Sequence, residues 1–349
     1  MIAEIIKMLK RSLQIAEYVW ADAAGSLRSK TKVLNKPVNS VKDLSVWSFD
    51  GSSTGQAEGF NSDVFLAPRR IYRDPFRGEN HIMVFCDCYD DVDLTIPNKA
   101  NSRHLLANVS EKAANLEPLV GIEQEYVLYD ARSGLPYKWK SHQDPCIGGQ
   151  GPYYCGAGGD RIFGREIIED HMFKCLDAGI NYFGANAEVM ASQWEFQIGT
   201  VDPLTAADDL LMARYLLARV SEKYDAAINY HPKPHPGDWN GSGGHVNLST
   251  KPMREEGGLK LIEETMKKLE NSHIDDLKFY GEHNEKRLTG HHETSSMTKF
   301  SWGIGNRGAS VRITKQILRE GKGYFEDRRP ASNLDPNKVL YRLLSAILS

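Results

Sequence analysis

Residues 120–129 read VGIEQEYVLY, an apolar run that two carboxylates interrupt. Such a run predicts a β-strand. Because successive side chains of a strand point to opposite faces, Glu123 and Glu125 would share one face. A solvated strand face and a functional site explain this pair equally well, so other residues must decide between the two interpretations.

Helices and strands alternate from residue 102 onward, which predicts a larger domain of mixed α and β structure. Apolar residues at helical spacing predict helices near residues 105–109, 167–176, 210–224, 259–269 and 339–348. The second of these helices would end at Gly179, and Thr205 with Asp208 would form a capping box at the start of the third.

The residues before this region predict a smaller N-terminal domain. A leading helix is predicted from apolar residues at helical spacing, namely Ile2, Ile5, Ile6, Leu9 and Leu13. Further along the chain the predicted elements are a hairpin of residues 18–22 and 27–34, a strand over 81–89 and a connection over 90–101. We therefore predict domains over 1–97 and 98–349.

Composition excludes several classes of protein. The net charge of −3, with basic and acidic residues mixed along the chain, disfavours nucleic-acid binding. No apolar run approaches the roughly 18 residues that a membrane span needs, so no membrane association is expected. The five cysteines form no C-x-x-C pair, which argues against a disulfide framework or zinc ribbon and predicts a reducing, cytoplasmic setting.

A second pair of carboxylates makes a functional site the better interpretation. Glu188 lies in NAEVM, and Glu195 lies in QWEFQIG between Trp194 and Phe196. A carboxylate between large apolar groups is unfavourable unless charge or hydrogen bonds compensate it. A bound metal ion would supply that compensation.

Two further segments supply ligand types of the same kind. The glycine-rich stretch 241–247 (GSGGHVN) presents His245, and 323–330 (GYFEDRRP) presents Glu326 two residues before Arg328. A lone histidine is more often structural than a ligand, so His245 is a candidate metal ligand only because acidic candidates accompany it. Oxygen-rich donors with one imidazole and no thiolate suit Mg²⁺ or Mn²⁺, and we predict two or three such ions.

Four arginines accompany the acidic residues, namely Arg287, Arg307, Arg312 and Arg328. Arginine is the usual clamp for carboxylates and phosphoryl groups. Surface salt bridges explain any one of them better than a binding role does. Together with an acidic metal site they indicate phosphoryl transfer.

The segments together resemble type II glutamine synthetase, the eukaryotic-like family, over nearly the whole chain. They occur in the family's order and roughly its spacing: WSFDGSSTGQAEGFNSD, YRDPFR, GIEQEY, QGPYYCGAGGDR, NAEVMASQWEFQIG, DWNGSGGHVNLST, RLTGHHETS, NRGASVRI and GKGYFEDRRPASNLDP.

The resemblance implies an α+β fold. An N-terminal β-grasp domain would precede a larger catalytic domain, in which a curved antiparallel sheet is flanked by helices and lines a funnel. ATP and glutamate would enter the funnel at opposite ends. The implied enzyme is a glutamate–ammonia ligase, which forms glutamine, ADP and phosphate through a γ-glutamyl phosphate.

The resemblance also assigns roles to residues of this sequence. The first metal ion would be bound by Glu125, Glu188 and Glu195, and the second by Glu123, His245 and Glu326. Glutamate would contact Asp238, Trp239, Arg287, Arg307 and Arg328. ATP would contact Glu123, Glu195, Asn247, Ser249, Arg307, Arg312 and Tyr324.

Catalysis would involve four residues, Asp50, Ser53, Glu293 and Arg307. Asp50, with Ser53 beside it, resembles the base that deprotonates ammonium. Glu293 matches a mobile flap that shields the acyl phosphate from water. Because the family's Asp50-like turn faces a neighbouring subunit, the resemblance implies shared active sites in a homo-oligomer, a decamer of two pentameric rings.

One departure and three alternatives remain. Thr200 stands where the family has proline, which affects the predicted adenine-side wall. The alternatives are a γ-glutamyl ligase for a larger amine, a relative that has lost catalysis, and a guanidino kinase with the same catalytic fold. Retention of Asp50, Ser53, Glu293 and every expected metal carboxylate favours glutamine synthesis.

Overall fold

The computed structural model describes residues 13–78, 80–144 and 147–349. Residues 1–12 of the predicted leading helix lie outside the described residues, and so does Cys146. The chain divides into two compact units, each built from several segments. Of the described residues, unit 1 comprises those within 13–104, 172–180 and 211–216, and unit 2 comprises those within 105–171, 181–210 and 217–349.

The sheet of unit 1 has the strand order β2-β1-β5-β4-β3. Its strands are β1 (Gln14–Ala21), β2 (Leu27–Leu34), β3 (Trp47–Asp50), β4 (Asp63–Arg73) and β5 (Ile82–Tyr89). The pair β1–β2 is the predicted antiparallel hairpin, whereas β1 and β5 run parallel. The predicted hairpin and the strand over 81–89 are therefore confirmed.

Strand β1 begins earlier than the sequence predicts. Gln14 already pairs with Leu34, so residues 14–17 belong to the strand that was predicted to start at residue 18. Ala16, Tyr18 and Trp20 are in the core of unit 1. The hairpin therefore begins four residues earlier than predicted, because these residues pair with β2 and are mostly buried.

The sheet of unit 2 has the order β11-β12-β13-β10-β6-β8-β7, and β9 pairs with β6. Its strands are β6 (Leu119–Asp130), β7 (Tyr182–Ala187), β8 (Gln193–Val201), β9 (Ala226–Asn229), β10 (Gly244–Ser249), β11 (Trp302–Ile304), β12 (Val311–Ile313) and β13 (Phe325–Asp327). The strand predicted over 120–129 is the central β6. The described pairs of this sheet are antiparallel, as predicted, except that β11 and β12 are parallel, so the sheet is mixed.

The described helices are α1 (Arg103–Lys112), α2 (Arg165–Ala178), α3 (Pro203–Ser221), α4 (Lys251–Arg254), α5 (Gly258–Leu277), α6 (Lys315–Glu320) and α7 (Pro336–Leu348). All five helices predicted after residue 102 are found, and with the two sheets they confirm the α+β class. Within the described residues, none of these helices combines the length and hydrophobicity needed to cross a lipid bilayer.

Two details of the helix prediction change. Helix α3 begins earlier than predicted, because Asp202 is its N-cap and accepts a hydrogen bond from the Thr205 backbone N–H at 3.0 Å. Thr205 is thus inside the first turn, where Pro203 also fits because the N–H it lacks would have no partner in the helix. In α2, Leu176 is exposed rather than part of the buried face, and Gly179 ends the helix with a φ of +85° as expected.

A buried arginine ties β13 to α5. The Arg329 side chain is inaccessible to solvent, and its Nη2 lies 2.8 Å from Asp327 Oδ2 while its Nη1 lies 3.5 Å from Asp276 Oδ2. Its guanidinium also lies 5.0 Å from the centroid of the Tyr280 ring. Removing the cation would leave the buried Asp327 without a cationic partner, whereas Asp276 would keep Arg342, whose Nε lies 2.9 Å from Asp276 Oδ1.

We therefore expect Arg329→Met to lower the free energy of unfolding by about 3–5 kcal/mol, the usual cost of breaking a buried ion pair. The matched control is Arg132→Met, which breaks the exposed pair with Asp225 and should change stability by less than about 1 kcal/mol. Urea denaturation followed by circular dichroism measures both. Equal stability of the two variants would contradict the structural role of Arg329.

Candidate active site

The register of the sheet in unit 2 brings the predicted acidic residues together. His245 on β10 lies opposite Glu123 on β6, and Glu195 on β8 lies opposite Glu125. Glu326 on β13 lies opposite Asn247 on β10. Side chains of directly opposite residues share a face of the sheet. Carboxylates from three strands and one imidazole therefore converge beside β6.

A cavity of about 640 Å³ opens over this face, and every residue lining it belongs to unit 2. Thirteen of the predicted site residues line it: Glu123, Glu125, Glu188, Glu195, His245, Asn247, Ser249, Arg287, Glu293, Arg307, Arg312, Tyr324 and Arg328. The cavity thus combines the predicted metal ligands with the predicted phosphate and carboxylate clamps.

Three predicted residues of this unit do not line the cavity. Glu326 is buried beneath two arginines, with Oε2 2.8 Å from Arg312 Nη1 and Oε1 2.5 Å from Arg328 Nη1. Trp239 packs against the ring of Trp139, and Asp238 is exposed. Their neighbours Asn240 and Gly241 line the cavity instead.

Asp50 and Ser53 lie in unit 1, on an exposed turn that follows β3. Asp50 caps this turn and accepts hydrogen bonds from the hydroxyls of Ser52 and Ser53, each at 2.6 Å. The bonds from Ser52 and Ser53 lower the pKa of the Asp50 carboxyl. Asp50 is therefore an exposed anion with one side open to solvent.

The ligand atoms around His245 form two groups in which all atoms lie within 4.8 Å of one another: Glu123, His245 and Glu326, and Glu125, Glu195 and His245. The Nδ1 atom of His245 lies 3.3 Å from Glu123 and 3.7 Å from Glu326, whereas Nε2 lies 3.8 Å from Glu125. Because a neutral imidazole has one free lone pair, His245 can serve only one group at a time.

Burial makes three of the glutamates hard to ionise. It raises the pKa of Glu188 to about 8 and raises the pKa values of Glu125 and Glu195, and the neighbouring carboxylates add to each shift. Like charges in one buried site cannot all be retained without a counter-charge. A divalent cation would supply it, and the oxygen donors match the preference of Mg²⁺ and Mn²⁺.

Neutral amides hold four of the carboxylates. Asn247 donates to Glu123 at 2.8 Å. Gln193 and the Gly243 backbone N–H donate to Glu125, at 3.3 and 2.8 Å respectively. Likewise, Asn186 donates a hydrogen bond to Glu188, and Gln197 donates one to Glu195. These glutamines and Asn186 were not predicted as site residues, although Gln193 and Gln197 lie two residues to either side of Glu195 and thus share its face.

Arg287 is buried against the imidazole. Its Nη2 lies 3.1 Å from His245 Nε2, and burial lowers the pKa of Arg287 to about 10. Gly243 makes this approach possible, since a Cβ there would lie 2.7 Å from His245 Nε2 and closer still to Arg287. The glycine-rich stretch therefore serves close packing around the imidazole.

The loop that carries Glu293 closes part of the cavity wall. His292 and Glu293 both have positive φ values, +54° and +60°, which non-glycine residues seldom adopt. The Glu293 carbonyl accepts a hydrogen bond from Arg328 at 3.5 Å. Thr200, the predicted departure from the family, lines the cavity as well, so this substitution falls within the site.

Two models of one protein family match separate parts of this chain. Residues 12–91 match a family model described as glutamine synthetase, beta-Grasp domain, and residues 99–272 match one described as glutamine synthetase, catalytic domain. The first match confirms the predicted β-grasp domain.

Curated relatives match most of the chain. Glutamine synthetase from Hebeloma cylindrosporum is 52% identical over 93% of this chain and 90% of its own length. The enzyme of the same name from Kluyveromyces lactis is 51% identical over 96% of this chain and 88% of its own length. The corresponding values for Colletotrichum gloeosporioides are 48%, 99% and 95%.

The raised pKa values predict how stability depends on pH. Glu188 has a pKa of about 8 in the folded chain against 4.5 when unperturbed, so the folded state holds its proton more tightly. Without metal, stability should therefore fall as the pH rises from about 4.5 through 8. Because Mg²⁺ binds the ionised form, the increase in Tm that it causes should be larger at pH 8.5 than at pH 6.

Thermal unfolding of the chain after EDTA treatment, with and without Mg²⁺, measures this dependence. Glu188→Gln should reduce both the pH dependence and the Mg²⁺ effect. A Tm increase of equal size at both pH values, unchanged by Glu188→Gln, would show that Mg²⁺ acts elsewhere.

Proposed function

The chain belongs to the glutamine synthetase family and forms glutamine from glutamate and ammonia with ATP, and we propose that the reaction takes place in the cavity of unit 2. The observation that carries this location is the convergence of the five glutamates predicted to bind metal, His245 and four arginines in and beneath one cavity. Phosphoryl transfer to a carboxylate needs such a combination, because the anionic reactants repel one another.

Two or three divalent cations would be bound on the acidic wall. Glu125, Glu188 and Glu195 form the first set of ligands, and Glu123, His245 and Glu326 form the second. The pKa values raised by burial support the first set, and the proximity of the ligand atoms supports the second. When bound, Mg²⁺ or Mn²⁺ would neutralise phosphate oxygens and orient ATP.

The remaining polar residues of the cavity would bind the two larger substrates. ATP would contact Asn247, Ser249, Arg307, Arg312 and Tyr324. Glutamate would contact Arg287, Arg307 and Arg328, together with Asp238 and Trp239. Asn240 and Gly241, which line the cavity, support a place for the Asp238–Trp239 segment at its edge.

The first chemical step would be phosphorylation of glutamate. A γ-carboxylate oxygen attacks the γ-phosphorus of ATP, the new P–O bond forms, and the bond to ADP breaks. The guanidinium groups of Arg307, Arg312 and Arg328 would stabilise the charge that spreads over the transferred phosphoryl group. The product, γ-glutamyl phosphate, has a carbonyl carbon that an amine can attack.

Asp50 would prepare the amine for the second step. Hydrogen bonds keep this carboxylate ionised, so it attracts ammonium and can accept its proton, which frees the nitrogen lone pair before the C–N bond forms. Ammonia then displaces phosphate. Glu293 on the loop at the cavity wall would shield the acyl phosphate from water meanwhile.

An exposed Asp50 fits an active site shared between neighbouring subunits. We propose a homo-oligomer in which the turn after β3 of one subunit faces the cavity of the next, arranged as two stacked pentameric rings. We also propose a cytoplasmic location and a domain boundary between residues 97 and 98. No nucleic acid or membrane takes part in the proposed reaction.

The direct test is ATP-dependent phosphate release by the purified chain with glutamate and Mg²⁺, comparing ammonium with a panel of larger amines. We expect strong stimulation by ammonium alone, with one glutamine formed per phosphate. Preference for a larger amine would instead indicate a related γ-glutamyl ligase, and an assembled oligomer without activity would indicate a relative that has lost catalysis.

Asp50→Asn should separate the two chemical steps. The variant keeps the shape of the turn and an oxygen that accepts from Ser52, while its NH₂ group would donate to the Ser53 hydroxyl instead of accepting from it. Formation of γ-glutamyl phosphate should therefore continue while glutamine formation falls by about 100-fold or more, the usual contribution of a general base. Hydroxylamine, which needs no deprotonation at neutral pH, should restore much of the rate. Equal loss with ammonium and hydroxylamine would contradict the assigned role.

A further inference from the structure

Two neutral amides link the carboxylates of Glu188 and Glu195. Gln197 Nε2 donates to Glu195 and, at 2.9 Å, to Asn186 Oδ1. Asn186 Nδ2 in turn donates to Glu188 Oε1 at 2.9 Å. We infer that Gln197 and Asn186 are positioning residues that fix the two glutamates for cation binding without cancelling their charge. The inference deepens the proposed function, since it rests on the cation-binding role of those glutamates.

The orientation of both amides follows from the chemistry of the partners. An ionised carboxylate only accepts hydrogen bonds, so each amide must turn its NH₂ group toward its glutamate. Asn186 uses its NH₂ on Glu188 and is left with its oxygen facing Gln197. Gln197 uses one hydrogen on Glu195 and the other on that oxygen, so neither amide can rotate without losing a bond.

The strands of unit 2 place the four residues in this order. Asn186 on β7 lies opposite Glu195 on β8, and Gly184 lies opposite Gln197. Glu195 and Gln197 share a face because they are two residues apart. A Cβ on Gly184 would lie 2.8 Å from Gln197 Oε1. Gly184 therefore leaves the space that the Gln197 amide occupies.

Neutrality distinguishes this arrangement from the one around Glu326. Two guanidinium groups hold Glu326, so its negative charge is largely compensated before any ion arrives. Amides donate hydrogen bonds but carry no net charge. Glu188 and Glu195 are therefore oriented while their charge remains available to attract a cation. Residues that orient metal ligands in this way contribute about 10–100-fold to metal affinity.

Binding of Mn²⁺ to the assembled chain in the absence of substrates tests the inference. Electron paramagnetic resonance measures the free ion, so the readout does not depend on turnover. We expect Gln197→Leu to weaken the Mn²⁺ site by about 10–100-fold. Asn186→Leu should also weaken it, because it removes both the bond to Glu188 and the oxygen that accepts from Gln197. In the Gln197→Leu background, Asn186→Leu should cost less than it does alone, because one of its two bonds is already lost and the effects of contacting residues are not additive.

Gly184→Ala and Gln316→Leu provide a second route and a control. Gly184→Ala keeps every polar group but displaces the Gln197 amide, so it should also weaken Mn²⁺ binding. Gln316 donates to Glu320 at 2.8 Å on the exposed surface of α6, outside the cavity. Gln316→Leu removes the same kind of bond and should leave Mn²⁺ affinity within about 2-fold of the parent, since surface substitutions of this kind have small effects.

Glu195→Gln separates the inference from the proposed function. If this variant binds Mn²⁺ as the parent does, the glutamates are not metal ligands and both proposals fail. If Glu195→Gln loses binding while folded Gln197→Leu and Gly184→Ala retain parental affinity, the metal assignment stands and the positioning role of the amides is wrong. Circular dichroism and gel filtration establish that each variant is folded and assembled.

Discussion

The structure of unit 2 depends on one electrostatic constraint: glutamates on neighbouring strands and on the loop between β7 and β8 are buried together without enough cationic partners. Glu125, Glu188 and Glu195 have raised pKa values because burial and mutual repulsion both disfavour their ionised forms. A sheet that keeps such residues loses stability unless something compensates them. The amides orient these carboxylates, the arginines neutralise Glu326, and the remaining negative charge is what a divalent cation would require.

The register between paired strands determines which of the predicted residues meet in this site. The strand containing Glu123 and Glu125, and the shared face of these two residues, could be predicted from the alternation of side chains alone. Which residue lies opposite Glu125 could not, because the pairing of β6 with β8 joins segments about seventy residues apart and depends on the packing of both. The start of β1 was mistaken for the same reason: a short apolar run fits a helix or a strand until its partner is known.

The site residues show the same division. The sequence alone indicates the carboxylates, His245 and the arginines, because their side chains are ionisable. The structure brings them to one cavity. The sequence does not indicate a role for Asn186, Gln193 and Gln197, because neutral amides are common on protein surfaces. Their role follows only from their contacts with Glu188, Glu125 and Glu195. Glu326 was predicted with the others, but its position beneath Arg312 and Arg328 depends on packing that the sequence does not state.

The central claim is that cations resolve the charge conflict beside β6. Anomalous diffraction at the manganese edge, from crystals of the assembled chain grown with Mn²⁺, tests it most directly. The account predicts anomalous peaks next to Glu125, Glu188 and Glu195 and next to Glu123, His245 and Glu326. Peaks confined to other parts of the molecule would contradict it.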